Sequence, residues 1–300
     1  MTFSVDHPPM PIIVGVHRSG TTLLRMMLDS HPDLAIPPET HFIIGLIDAG
    51  SVFSRERFLE IIFSVRSWAD FKPLEQDFRR IIKAMSPFNV SEALRAFYRI
   101  YAQRFGKTRW GDKTPRYSMI MPAIQQLLPE AHFIHIIRDG RDVALSCRHL
   151  WFGPGNDMEA QAKNWVDRVT NARSDARKLK NYIEVRYEAL VSSPRETLQK
   201  LCQFLSLFYT PTMEKYYEHA PERLEEFKDR LDQDRTMYVS SDQRKALHEL
   251  TKKHPDSSRI GVWRRELSED EQISFERIAG PLLNELEYET RYMHARTGNM

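Results

Sequence analysis

The stretch GVHRSGTTLLRM, Gly15–Met26, constrains the fold of this chain more than any other. Gly15 and Gly20 enclose four residues, the glycine spacing of a phosphate-cradling G-x-x-x-x-G-K-[ST] loop, but Thr21 stands where that motif carries its lysine and Thr22 follows. The cation lies inside the loop instead, at Arg18. Ahead of the loop, MPIIVGV is a short β-branched run; behind it, TTLLRMMLDS is helix-forming and stops before Pro32. In a strand–loop–helix unit, successive backbone N–H groups at a helix N-terminus face an anion, and the Thr21 and Thr22 hydroxyls add donors. The missing lysine and a magnesium-holding carboxylate serve β- and γ-phosphates. Their absence points to a nucleotide with one 5′-phosphate and a different transferable group.

The same order of elements recurs. AHFIHII leads through RDGRD into VALSCRHLWF, and NYIEVRY is followed by SSPRETLQKLCQFL. In the latter, Ser193 and Glu196 read as a capping box, Pro194 takes the first helical position, and Leu198, Leu201, Cys202 and Leu205 share one face. Three strand–helix units predict an α/β fold, a P-loop-like parallel sheet flanked by helices, with ligand loops at the carboxyl ends of its strands. Between the first two units, about residues 45–110, lies a helical insertion. There Phe58, Ile61, Ile62 and Val65, then Phe78, Ile81, Ile82 and Met85, then Leu94, Phe97, Tyr98 and Tyr101 follow helical periodicity. Its aromatics Trp68, Phe88 and Phe97 fit either helix core or the lining of an acceptor pocket. The polar stretch from about Thr210 to Ser258, with PERLEEFKDRLDQDR, reads as exposed helix or mobile loop with a solvated charged face. A last helix is expected from SEDE, with Ser268 and Glu271 as a second capping box.

A chain of 300 residues with 41% apolar content can bury one substantial core, so a single domain over 1–300 is expected. The formal charge of +2 gives no overall field, so any anion site must come from local clustering and nucleic acid is not an expected partner. Cys147 and Cys202 form no disulfide framework or metal-ligand spacing. MTFSVDHPPM lacks a signal-peptide pattern, and no apolar run approaches the roughly 20 residues that span a bilayer. The expectation is a soluble, cytoplasmic protein.

RSGTTLLR resembles the 5′-phosphosulfate loop of sulfotransferases that use 3′-phosphoadenosine-5′-phosphosulfate, and IIRDGRDVALS resembles their 3′-phosphate motif. The resemblance implies that cofactor. It also implies that Arg138 and Ser146, separated by 146 − 138 = 8 residues as in the family, meet at its 3′-phosphate. From the residues alone, Arg138 equally fits an ion pair with Asp139 or Asp142, and Ser146 a neutral helix surface. RYEALVSSPRETLQKLCQFL is similar to a family segment whose tyrosine helps hold the adenine; Tyr187 matches it, where a core tyrosine is the competing reading. SSRIGVWRREL resembles the family's Gly-x-Trp loop over the 3′-phosphate, with Arg259 and Gly261 in the matching places. The cofactor-binding set implied is thus Arg18, Ser19, Gly20, Thr21, Thr22, Arg138, Ser146, Tyr187, Arg259 and Gly261, without a metal.

Sulfuryl transfer to a hydroxyl or amine needs in-line geometry, cations where charge develops, and a base for the acceptor proton. In WGDKTP, Lys113 matches the lysine that bacterial and tyrosylprotein-type relatives place on the transferring group, with Arg18 as a second charge. Small-molecule relatives carry a catalytic histidine two residues beyond such a lysine; here that position is Pro115. In HPDLAIPPETHF, Glu39 resembles the catalytic glutamate of the tyrosylprotein group, although Pro38 replaces the acidic residue before it. His17 and His41 are the rival bases. The expected partner is a small-molecule or peptide acceptor, its class and the oligomeric state left open. The competing functions are a P-loop nucleotide kinase with Asp139 holding a metal, and a non-catalytic adenosine bisphosphate-binding protein.

Overall fold

The protein is described from a computed structural model covering residues 7–50, 54–148, 150–232, 234 and 236–292. The β-branched run after Met10 forms strand β1, Met10–Gly15, buried along its whole length. It lies at the centre of a parallel sheet, between β2 (Asp112–Lys113) and β3 (Ala131–Ile137), with β4 (Tyr182–Arg186) outside β3. Ile13 stands opposite Lys113 on one side and Ile134 on the other, and Ile137 stands opposite Arg186. Because the strands are parallel, their carboxyl ends share one edge, which is where such sheets place ligand loops. The three expected strand–helix units are present. The two-residue strand β2 is polar in sequence and carries no periodic signal, yet it delivers Lys113 to that edge.

Helix α1 (Thr21–Asp29) follows β1. The insertion contains α2 (Arg55–Ser64), α3 (Glu75–Ala84) and α4 (Val90–Gln103), together with the turns of Arg66–Leu74. Its apolar faces meet in an aromatic core, with Phe71 and Phe97 ring centroids 5.1 Å apart and Trp68 and Phe78 6.0 Å apart. Trp68 and Phe97 are therefore fully occupied by packing and line no acceptor pocket, and Phe88 packs edge-on against Phe58. Edge-to-face pairs of this kind add to area burial, which is why they recur where several rings converge.

Helix α5 (Gly140–Cys147) follows β3, and α6 (Met158–Ala176) and α8 (Glu269–Glu285) pack over it around Trp165 and Phe275. Between them in the chain, α7 (Pro194–Phe204) buries Leu198, Leu201 and Cys202. The Ser268 capping box forms as expected, with the Glu271 N–H donating to Ser268 Oγ and Glu271 Oε2 accepting from the Ser268 N–H. The Ser193 box does not form. A short helix, Tyr187–Ser192, runs directly into α7; the Ser193 N–H is used on Ala189 O at 2.8 Å, and its side chain caps nothing. Cys147 and Cys202 are free and buried.

The polar stretch after Thr210 is solvated on only part of its surface. Met213, Tyr216, Leu224 and Phe227 are buried; in PERLEEFKDRLDQDR, Glu222, Glu225, Lys228 and Asp229 are exposed, while Arg223, Glu226 and Arg230 pair inward. Arg223 meets Asp29 at 2.8 Å and Glu226 meets Arg25 at 2.9 Å, fastening the stretch to α1. Asp70 of the insertion, with no exposed side-chain surface, takes Arg244 at 2.6 Å and Arg230 at 3.0 Å. Buried charges persist only when paired, and loss of one partner leaves the other uncompensated. Charge runs look alike in sequence whether they face water or each other. Among the described residues, no helix is long and apolar enough to cross a membrane.

Candidate active site

The loop after β1 is shaped by close approaches. A Cβ at Gly15 would fall 2.6 Å from the Ile136 carbonyl oxygen, and one at Gly20 would fall 2.6 Å from Tyr187 Cδ2. Gly20 has φ +97° and Arg18 φ +68°, a left-handed turn that a non-glycine residue adopts only under constraint. Gly20 supplies no side chain to cap α1, so the first-turn N–H groups have no cap acceptor. Ser19 Oγ is buried without a partner.

Around this loop residues far apart in sequence converge. Arg18 donates from Nε to Ser146 Oγ at 3.0 Å and from its terminal nitrogen to Leu247 O at 3.1 Å. Arg138 donates to Arg18 O at 3.2 Å and to Arg259 O at 2.8 Å, and its guanidinium lies 4.4 Å over the Tyr187 ring. Of its two possible ion-pair partners, Asp142 is the one engaged, at 3.8 Å; Asp139 is committed to the N-terminus of α5 and to Arg141 at 2.8 Å. Asp142 also accepts the N–H groups of Gly261 at 2.8 Å and Trp263 at 2.9 Å, which holds the Arg259–Gly261 loop against α5. The resulting cleft, about 420 Å³, is lined by Arg138, Ser146, Arg148 and Arg259 among others. Arg138 Nε is buried without a partner, and Arg259 is exposed with no carboxylate in ion-pair contact among the described residues.

A second cluster lies at the end of β2. Lys113 Nζ donates to Glu39 Oε1 at 2.7 Å and to Thr22 Oγ1 at 3.3 Å, and the other Glu39 oxygen is 2.9 Å from His41 Nε2. Glu39 reaches Lys113 because its neighbour Thr40 is clamped: Thr40 Oγ1 and the Tyr98 hydroxyl both donate to Asp112 Oδ2, at 2.7 and 2.8 Å. Tyr117 joins the same buried network through Thr40 Oγ1 at 2.8 Å. Burial pushes the Lys113 ammonium below its ordinary range, and the Glu39 charge works against that. For Glu39, burial alone would raise the carboxyl, but the Lys113 charge and the His41 hydrogen bond outweigh it and hold it well below the usual range. Burial, opposed by Glu39 and reinforced by Arg168, His41 and Lys113, pushes His17 down to about 4. At neutral pH that imidazole is uncharged.

The sequence-predicted residues thus form two neighbouring clusters joined by the loop. Arg18, Arg138, Ser146, Tyr187, Arg259 and Gly261 lie on one side; Thr22, Lys113 and Glu39 lie on the other, with His41 and His17 beside them. The Arg18 guanidinium is engaged by Ser146 and the Leu247 carbonyl, and Arg18 and Lys113 both act on the adjoining His248. Sequence reasoning missed Thr40, Asp112, Tyr98 and Tyr117; an aspartate inside WGDKTP, next to the lysine, was the available signal. It also missed the Leu247–His248 segment. There the His248 imidazole lies well below its ordinary range through burial and the charges of Lys113 and Arg18.

An α/β fold that sets a glycine-turned loop at a helix N-terminus beside a lysine–glutamate pair at one sheet edge can hold an anion next to a proton acceptor. The sulfotransferase family profile matches residues 9–211, and the chain belongs to that family. It is 28% identical to nodulation protein NoeE of Sinorhizobium fredii across 98% of this chain and 70% of that protein. It is 27% identical to protein-tyrosine sulfotransferase A of Caenorhabditis elegans across 66% of this chain and 50% of that protein. The fold is similar to that of the sulfotransferase domain of the Synechococcus PCC 7002 olefin synthase, with a TM-score of 0.58, 22% identity, and 95% and 98% of the two chains covered.

Proposed function

We propose that the chain moves a sulfuryl group from 3′-phosphoadenosine-5′-phosphosulfate to a hydroxyl or amine acceptor, with Lys113 and Glu39 as the reacting pair. The observation that carries this reading is the meeting of Arg18, Arg138, Ser146 and the Arg259 loop beside an uncapped helix N-terminus. The residues fit the donor. The orphaned Ser19 hydroxyl, the free first-turn N–H groups of α1 and the unpartnered Arg138 Nε are all donors awaiting an anion. Ser19, Gly20, Thr21 and Thr22 would hold the 5′-phosphate; Arg18, Arg138, Ser146, Arg259 and Gly261 the 3′-phosphate; Tyr187 the base. Bound there, the donor supplies the sulfuryl group and a bisphosphate leaving group.

The chain's own residues then divide the work. In the resting pair Lys113 and Glu39 neutralise each other at 2.7 Å. When the Lys113 ammonium turns to another anion, the burial around Glu39 is offset only by the histidines beside it, and its proton affinity rises. The carboxylate becomes a competent base for the acceptor proton as the lysine becomes available for developing charge. His41 keeps the second Glu39 oxygen oriented. A nucleotide kinase gains nothing here, since Asp139 is engaged by Arg141 and the loop has no lysine.

Calorimetry tests the reading directly. Adenosine 3′,5′-bisphosphate should bind far more tightly than AMP or ATP, without magnesium, and radiolabelled sulfuryl transfer should follow on a screen of phenols, sugars, lipids and peptides. Equal affinity for AMP would remove the 3′-phosphate site. Tight bisphosphate binding with no transfer to any acceptor would leave a non-catalytic binding protein.

A further inference from the structure

Beside the Lys113–Glu39 pair, the chain presents two cations that it does not neutralise. Arg116 lies three residues after Lys113, in the turn Pro115–Met119, and Arg168 lies on α6, which packs against that turn. The Arg168 Nε donates to the neutral Asn164 Oδ1 at 3.0 Å, and a terminal nitrogen lies 4.0 Å from Met119 Sδ. Among the described residues neither guanidinium has a carboxylate in contact, a state they share with Arg18 and Arg259 of the cleft, whereas the buried Arg25, Arg95, Arg141, Arg223 and Arg244 are paired. Burial and the Arg116 charge both act to lower the Arg168 pKa, and Cys147 acts against them. Arg168 also bears on His17, the imidazole beside Glu39 and Lys113. A half-buried guanidinium without a carboxylate partner, at the same turn as an exposed one, costs stability that an arriving anion would offset.

The apolar side of the same rim comes from the loop after α5. Phe152 packs its ring edge against His17 at 5.4 Å, and Trp151, 43% exposed, packs on Phe152 at 5.0 Å. Exposed Met119 completes it on the Arg168 side. An aromatic ledge, a neutral imidazole and two cations without a carboxylate partner among the described residues thus stand together next to the proposed reacting pair.

We propose that this rim is the acceptor subsite and that the acceptor is an anion: a hydroxylated molecule whose carboxylate or phosphate is held by Arg168 and Arg116, with its apolar part on Phe152 and Trp151. Guanidinium is suited to both groups through its planar fork of donors. The inference rests on the assignment of Lys113 and Glu39 as the reacting pair.

The test is equilibrium binding of three phenols: phloretate, its neutral methyl amide, and tyrosol phosphate. Each is titrated into the wild type, Arg168→Gln, Arg116→Gln, the double variant, and Lys163→Gln, with and without saturating adenosine 3′,5′-bisphosphate. The wild type should prefer at least one anionic phenol to the amide by about tenfold or more, the scale of a charge-assisted contact. Whether phloretate or tyrosol phosphate binds better distinguishes a carboxylate from a phosphate site. The preference should fall in each single variant, vanish in the double variant and survive in Lys163→Gln, which removes an exposed cation of the same helix. Bisphosphate affinity should be the same in every variant, which also reports that each is folded. Equal binding of acids and amide, no measurable binding of either anion, or a preference that outlives the double variant would overturn the subsite. So would an equal loss in Lys163→Gln, which would mean a general field. Failure of bisphosphate binding in the wild type would sink the donor assignment alone, and the titrations without it would still decide the rim.

Discussion

Gly20 and Gly153 share φ +97°, but only Gly20 is crowded: its missing Cβ would lie 2.6 Å from Tyr187 Cδ2, whereas nothing lies within 4 Å of the corresponding point at Gly153. Alanine at either site must accept a left-handed backbone, a cost of about 1–2 kcal/mol. At Gly20 the methyl group must also push the Tyr187 ring aside, and overpacking of this kind adds about 1–3 kcal/mol. Urea unfolding should therefore report about 1–2 kcal/mol lost in Gly153→Ala and about 2–5 kcal/mol in Gly20→Ala. The functional consequence is sharper. Tyr187 lies beneath the Arg138 guanidinium, so its displacement disturbs the donor side of the site, and bisphosphate affinity should fall in Gly20→Ala while Gly153→Ala keeps it. Equal destabilisation of the two variants, with unchanged bisphosphate affinity in both, would refute the idea that Gly20 is glycine because Tyr187 needs its space.

Glu39→Gln retains the side chain's size but cannot take a proton, so turnover should fall by about 10²–10⁴-fold with bisphosphate binding intact, and the loss should shrink on more acidic phenols. Lys113→Ala should instead stay defective on an already ionised acceptor; a defect that vanishes there would remove the lysine from the transition state. The fully buried His135 has its imidazole pushed down to about 3, chiefly by burial. Its unfolded value lies near 6.5, so between those limits only the unfolded chain binds the proton, and the histidine's neutral form stabilises the fold above about pH 6.5 and progressively less below it. Between pH 7.5 and 5, His135→Phe should lose about 2 kcal/mol less stability than the wild type in urea titrations; parallel losses would show that His135 is not the group titrating.

What could be read from the sequence was what local patterns encode. The Gly15–Gly20 spacing, the β-branched runs before it and at AHFIHII, and the Ser268 box each depend on residues within a few positions, and each stands as expected. The insertion's helices followed from periodicity, but not the use of Trp68 and Phe97, because a stripe of aromatics has the same spacing whether it meets other rings or a ligand. Ser193 failed as a cap for a non-local reason, the helix already running into it. The pairing of Lys113 with Glu39 was expected as shared chemistry and not as a contact: it depends on Asp112 and Thr40 meeting across 72 residues. In PERLEEFKDRLDQDR the exposed charges stand as expected, but the inward pairing of Arg223 and Glu226 was not legible because their partners, Asp29 and Arg25, lie some two hundred positions earlier.

The bond from Arg18 to the Leu247 carbonyl spans 229 residues, and that from Arg138 to Arg259 spans 121. During synthesis the chain emerges from its amino end, so the sheet and the loop after β1 leave the ribosome well before the segments that close over them. A nascent chain that has exposed only the loop holds an uncapped helix end without Arg138, Leu247 or Arg259 around it. The contacts that Arg18 and Arg138 make around the loop are thus complete only once the chain has been made through Arg259.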